Sequence, residues 1–319
     1  MNKFPLYLVL QKGFLEAIHY QLPFVWDGSR LVVNPQAQLV LRTLPDILIS
    51  FAMTAIVLFF GFRSGFMGGL VAALACLTMP MVWMYWVEER PYSLWFALTV
   101  IQSLLFLDTV SKKMTNARKV PFLLVHAGLC LTAPLGVIQT IVCQGLLWGA
   151  GTRRVNFYMT TGAVPVFLGA YFFMAQEKMS VYLCVPWQVI FVRNFQPEEM
   201  VFLGMYVILL LLLRREEVCR KYFLFGRVFF PFCGCFLAIA LTLLFYMAWK
   251  SVPSVPVVER HFIFLTPIGI IMTAAIFSDL WLATAKRVWW RLGLMVIFGA
   301  GLLGQFLSAF TIVYFSVYY

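Results

Sequence analysis

Ten apolar stretches separated by short charged turns restrict this chain to a fold that crosses a membrane repeatedly. They lie at about 43–62, 66–86, 91–110, 120–134, 135–150, 157–175, 200–213, 228–248, 260–284 and 292–318. A helix needs about 20 apolar residues to span a bilayer. The stretches at 120–134, 135–150 and 200–213 fall short of that. They read as tilted neighbours, a re-entrant pair, or helices that extend past these bounds. Hydrophobic residues make up 62% of the 319 and charged residues only 12%, whereas a soluble domain carries about 25% charged residues. The expected fold is therefore all-α: a polytopic integral membrane bundle of about ten transmembrane helices, occupying residues 43–319.

Residues 1–42 stand apart from this bundle. Phe4 to Tyr20 is apolar but carries Lys12, Glu16 and His19, which fall on one helical face. That pattern suits a helix lying in the membrane interface rather than crossing it. Pro23 to Pro35 reads as loop.

A net charge of +11 would point to nucleic acid if the basic residues formed one patch. Instead they sit in short clusters between apolar runs, so no nucleic-acid partner is expected. Alternate turns hold Arg63; Lys112, Lys113, Arg118 and Lys119; Arg153 and Arg154; Arg214, Arg215, Arg220, Lys221 and Arg227; and Lys286, Arg287 and Arg291. The positive-inside rule makes that side cytoplasmic. Residues 1–42, the Glu88–Tyr92 turn and the loops at 176–199 and 251–261 then lie on the outer side. Both chain ends are expected there too. Cys233-Gly234-Cys235 has no His or acidic neighbour and reads as small-residue packing rather than a metal site.

The turn Trp86-Val87-Glu88-Glu89-Arg90-Pro91-Tyr92 puts three adjacent charges between two nearly pure hydrocarbon runs. Such charges belong at a membrane surface or in a wet cavity. Pro91 breaks one helix and starts the next. Two acids here can simply favour the N-terminus of the following helix; alternatively Glu88 orients a substrate or a divalent cation. Arg90 can grip a phosphate in bidentate fashion, or snorkel beside the glutamates. Tyr92 reads as an interfacial aromatic or a binding residue. His126, inside an apolar run, reads as a hydrogen-bonded span residue.

Four elements in this order resemble the C-type (GT-C) polytopic glycosyltransferases, which include the protein mannosyltransferase and aminoarabinose transferase branches. Lys3-Phe4-Pro5-Leu6-Tyr7 is similar to the family's Lys/His-Pro-Pro-Leu-Tyr element. Leu41-Arg42-Thr43-Leu44-Pro45 resembles Arg-Leu-Pro-Ser. Val87-Glu88-Glu89-Arg90-Pro91-Tyr92 resembles Gln-Glu-Ala-Arg-Pro-Tyr. Glu259-Arg260-His261-Phe262 with Pro267 resembles Arg-Tyr-Leu-Leu-Pro. The glutamate-arginine-proline-tyrosine turn is the most specific of them.

The resemblance implies a GT-C-like bundle in a plasma membrane, the bacterial inner membrane above all. Its donor would be a polyprenyl-phosphate sugar and its acceptor a lipid, glycan or protein, with membrane lipids around the bundle. Glu88 would be the catalytic carboxylate, while Lys3, Arg90, Tyr92, Arg260 and His261 would hold the phosphate or substrate. No cofactor is fixed, although a divalent cation fits the turn. Phe4 and His261 depart from the pattern, replacing a proline and a tyrosine. The family's first span and the acidic general base after it would precede Lys3, so on this resemblance the chain is expected to begin past them. Glu16 and Asp27 are the local acids in their place. Two other expectations stand beside the enzyme: a transporter or flippase for a lipid-linked saccharide, and an inactive family member serving as a scaffold.

Overall fold

A computed structural model of the chain describes residues 5–20, 24–27, 30–33, 35–79, 82–83, 92–111, 118–151, 155–174, 204, 231–236, 238, 263–285 and 288–318. The order is helix α1 (Pro5–Ala17), strands β1 (Phe24–Asp27) and β2 (Arg30–Val33), then helices α2 (Pro35–Thr78), α3 (Tyr92–Ser111), α4 (Lys119–Thr132) and α5 (Pro134–Gly149). After them come α6 (Val155–Tyr158), a π-helical turn (Met159–Ala163), α7 (Val164–Met174), α8 (Leu265–Ala283) and α9 (Val288–Tyr318). The described residues are thus almost wholly helical. The stretch at 200–213 and most of 228–248 lie outside the described residues.

Among the described residues four helices are long and apolar enough to cross a membrane: the α2 stretch Gln36–Thr78, α3, α8 and the α9 stretch Val288–Leu307. They mark the chain as a membrane protein, and its surface agrees. Phe62, Phe66, Phe167, Tyr171 and Trp289 are strongly exposed, a greasiness that soluble monomers avoid over large contiguous areas.

The longest helix is two limbs. Gly65 has φ 75° and ψ −167°, a backbone conformation that side chains with a Cβ rarely adopt. A Cβ built on Gly69 would lie 3.3 Å from the Gly61 Cα and 3.4 Å from the Val57 carbonyl oxygen. In a straight helix residues eight apart are separated by about 12 Å along the axis, so the chain folds back at Gly65. The limbs match the expected division between 43–62 and 66–86. Glycines at their crossing allow the close approach usual between membrane helices. The first limb begins at Pro35 rather than at 43. The second stops at Thr78 because the residue before a proline, here Met79 before Pro80, disfavours helical geometry. The Trp83 indole N–H then caps the end, donating to the Leu77 carbonyl at 2.7 Å.

Residues 23–35 are not all loop, as the sequence led us to expect. β1 and β2 pair antiparallel, with Phe24 opposite Val33 and Asp27 opposite Arg30. Aromatic and β-branched residues flank Asp27-Gly28-Ser29, and an Asp-Gly pair between such runs is a hairpin signal.

The helix expected near the N-terminus is α1, and Lys12 and Glu16 form an exposed ion pair on it at 3.7 Å. His19 is not on its face. α1 ends at Ala17, and His19 sits at φ 53°. The His19 N–H reaches the Glu16 carbonyl, and the Tyr20 N–H reaches that of Leu15. This is the paired closure of a Schellman motif, with His19 at the position that favours glycine. His19→Gly is therefore expected to stabilise the α1 terminus by up to about 1 kcal/mol. The check is slower hydrogen exchange at the Tyr20 amide; unchanged exchange refutes it.

α3, α4 and α5 form an antiparallel meander. Asp108 and Arg118 close the α3–α4 end with a 2.8 Å ion pair. Higher up, a Cβ on Gly128 would touch the Leu98 side chain. Only Ala133, with extended backbone, separates α4 from α5, whose first residue is Pro134. Cys130 then faces Thr140 and His126 faces Gln144. A Cβ on Gly136 would fall 2.1 Å from the Leu129 carbonyl oxygen, so no larger residue fits.

α8 lies at the centre, packed against α2, α3 and α9 and buried on nearly every side. An aromatic column lines the space between α3 and α8. It runs Phe106–Phe232 (ring centroids 4.7 Å), Phe232–Phe236 (4.8 Å), Phe236–Phe264 (5.9 Å) and Phe264–Trp95 (5.5 Å).

Candidate functional site

Of the residues picked out by the sequence, Lys3, Glu88, Glu89, Arg90, Arg260 and His261 lie outside the described residues. Tyr92 is described. It is the first residue of α3 and is buried in the apolar core. The expectation of an aromatic facing the membrane interface is therefore corrected: Tyr92 packs inward, where the helix start anchors in the bundle.

The structure does define the scaffold into which these motifs lead. Trp95, in the first turn of α3, stacks on Phe264, the residue before α8, with ring planes 26° apart. The two helices therefore start at the same end of the bundle. α5 starts there as well. The Trp95 indole N–H donates to the Gln139 amide oxygen at 2.6 Å, and the Gln139 amide nitrogen donates to the Thr99 hydroxyl at 3.1 Å. Thr99 in turn donates to the Trp95 carbonyl. Trp95, Thr99 and Gln139 are all buried, and their mutual bonds remove the penalty of desolvating polar groups. Three helix N-termini thus open to one end. The partial positive end of a helix dipole is a setting that favours anions.

A second polar cluster lies deeper. Thr161 in the π-helical turn is four residues before Pro165, which has no N–H to give to the Thr161 carbonyl. His126 supplies the missing donor: its Nδ1 lies 2.6 Å from that oxygen. The Nδ1–H tautomer would give that oxygen its donor. The Gln144 side chain approaches both His126 Nδ1 (3.0 Å) and the Thr161 hydroxyl (3.1 Å). His126 is thus the hydrogen-bonded span residue expected. Membrane helices accept internal prolines when neighbours satisfy the freed carbonyl in this way.

Sequence reasoning missed Asp279. It is fully buried on α8, and its charge acts on Arg63 at the α2 fold-back. The pair stands at the end of the bundle opposite the Trp95–Phe264 stack, because Asp279 is near the close of α8 and Phe264 precedes its start. Charges were expected only in turns at span ends, with Arg63 in a solvated one. The available signal was a lone acid inside the apolar run 260–284, which in a membrane helix requires a partner.

Among the described residues no three His, Cys, Asp or Glu side chains gather as a metal site. Cys233 and Cys235 are half-buried and form no disulfide among the described residues. Compared with protein-family models, curated proteins and solved structures, the chain finds no match.

Proposed function

We propose that this protein is a membrane glycosyltransferase of the GT-C type. It would transfer a sugar from a polyprenyl-phosphate carrier to a lipid, glycan or protein acceptor on the non-cytoplasmic face of a plasma membrane. One observation carries the reading. The two most charged family-like elements, Val87–Tyr92 and Glu259–Phe262, lead directly into α3 and α8, whose starts are joined by the Trp95–Phe264 stack. Sugar transfer needs a carboxylate near the acceptor hydroxyl and cations where phosphate charge grows as the sugar leaves. Glu88 meets the first need. Arg90, Arg260 and Lys3 meet the second, with His261 beside them and three helix N-termini behind. In this reading the chain from Pro35 onward forms the ten-span bundle and α1 lies in the outer interface.

Purified protein in liposomes, supplied with a polyprenyl-phosphate sugar and mixed acceptors, is expected to release polyprenyl phosphate. The second reading, a transporter for a lipid-linked saccharide, draws on the buried Asp279 and the half-buried Arg63 that its charge acts on, since interior charges often line transport pathways. Movement of intact donor across the bilayer without any release would replace the enzyme by the transporter.

A further inference from the structure

α1 has to be held against the bundle by few contacts, and one of them depends on a proline. Pro45 sits inside the first limb of α2 and has no N–H, so the Leu41 carbonyl four residues earlier loses its helical partner. The Gln11 side-chain nitrogen donates to that oxygen at 3.0 Å, across 30 residues of chain. Gln11 is buried, as is Tyr7 one turn before it, while Lys12 and Glu16 point away into solvent. The inward face of α1 thus presents an amide to the single carbonyl that the proline sets free.

We propose that Gln11 is a positioning residue whose amide clips α1 onto the carbonyl released by Pro45. The clip joins two segments that the sequence marks separately: Lys3–Tyr7, whose last three residues open α1, and Leu41–Pro45 on α2. Neither Gln11 nor its bond to Leu41 figures in the family-like elements themselves. The clip stands on geometry alone; its positioning role in donor binding rests on the glycosyltransferase reading.

The test is a mutant cycle on the full chain in nanodiscs, read by hydrogen exchange over residues 5–17. Gln11→Met keeps the length of the side chain but removes the donor. One hydrogen bond is worth about 1 kcal/mol net, so exchange of α1 is expected to rise about five-fold. Pro45→Ala restores an N–H to the Leu41 carbonyl. In that background Gln11→Met is expected to change exchange less than about two-fold, because the carbonyl already has its partner. Equal acceleration in both backgrounds, or none in either, overturns the clip. If Pro45→Ala does not fold, Gln11→Leu decides the matter, since leucine fills the same space and has no donor. It should open α1 as Met does, and an unopened α1 overturns the clip.

The positioning role is read separately, as polyprenyl phosphate released by each variant. KM for the donor is expected to rise with α1 opening while kcat holds. An opened α1 with unchanged KM removes the positioning role and leaves the clip standing. A wild-type chain that releases no polyprenyl phosphate overturns the positioning role together with the enzyme reading, and the exchange cycle still decides the clip.

Discussion

Asp279→Ala is expected to destabilise the bundle by about 3 kcal/mol, because it removes a buried negative charge that acts on the half-buried Arg63 guanidinium. Breaking a fully buried pair from one side costs about 3–5 kcal/mol, and the partial exposure of Arg63 puts this case at the low end. The two-sided replacement should behave differently. Arg63→Met with Asp279→Leu removes both the attraction and the two desolvation costs, terms that nearly cancel for buried pairs. The double variant is therefore expected within about 1 kcal/mol of the parent. Thermal unfolding in detergent, followed by helical circular dichroism, decides between these outcomes. A double variant as unstable as the sum of the singles would mean the charges do not interact, and that Asp279 is held by another group.

The pair also shows where sequence reading reached its limit. The helix spans were legible because hydrophobic runs and prolines act locally: α3 and α5 begin within a residue of their expected starts, although the second limb of α2 stops at Thr78, short of the expected 86. The fold-back at Gly65 was legible for the same reason, since Arg63-Ser64-Gly65 interrupts the apolar run. The hairpin at Phe24–Val33 went unseen, although Val25, Trp26 and Leu31–Val33 around Asp27-Gly28 carry a strand pattern. The prolines gave the surrounding loop, and their signal dominated.

Long-range partners were not legible at all. Nothing in a one-dimensional pattern tells that Pro45 frees a carbonyl for Gln11, or that Pro165 frees one for His126. Each proline announces an unpaired carbonyl four residues before it, but only packing shows which side chain answers. Asp279 is the electrostatic version of the same problem. The outer-face candidates were chosen by resemblance, and of them the structure describes only Tyr92, which it places in the core. What the structure adds is the scaffold: the starts of α3, α5 and α8 brought to one end by Trp95, Gln139 and Phe264.

That scaffold leads to the prediction with the largest functional effect. Arg90 stands two residues before α3 and Arg260 five before α8, and the two helix starts are stacked on one another. If both guanidinium groups hold one phosphate, each alanine variant is expected to lower kcat/KM for a polyprenyl-phosphate sugar by about 10–100-fold, the worth of a charge-assisted hydrogen bond. Lysine should restore little of it, because an ammonium cannot reproduce the planar fork that binds two oxygens. The two losses should also fail to add. Once either arginine is gone the phosphate is misplaced, and removing the other costs less than it does alone. Glu88→Gln separates binding from chemistry: it should lower kcat while donor KM holds, since the carboxylate serves the acceptor and not the phosphate. The measurement is initial-rate kinetics on the two single variants, the double and Glu88→Gln, each checked for folding by its thermal transition. Losses that multiply fully would place Arg90 and Arg260 at independent sites. A loss for Arg90→Ala that Arg90→Lys repairs completely would make Arg90 a simple charge at the membrane surface, and the shared phosphate site would fall with it.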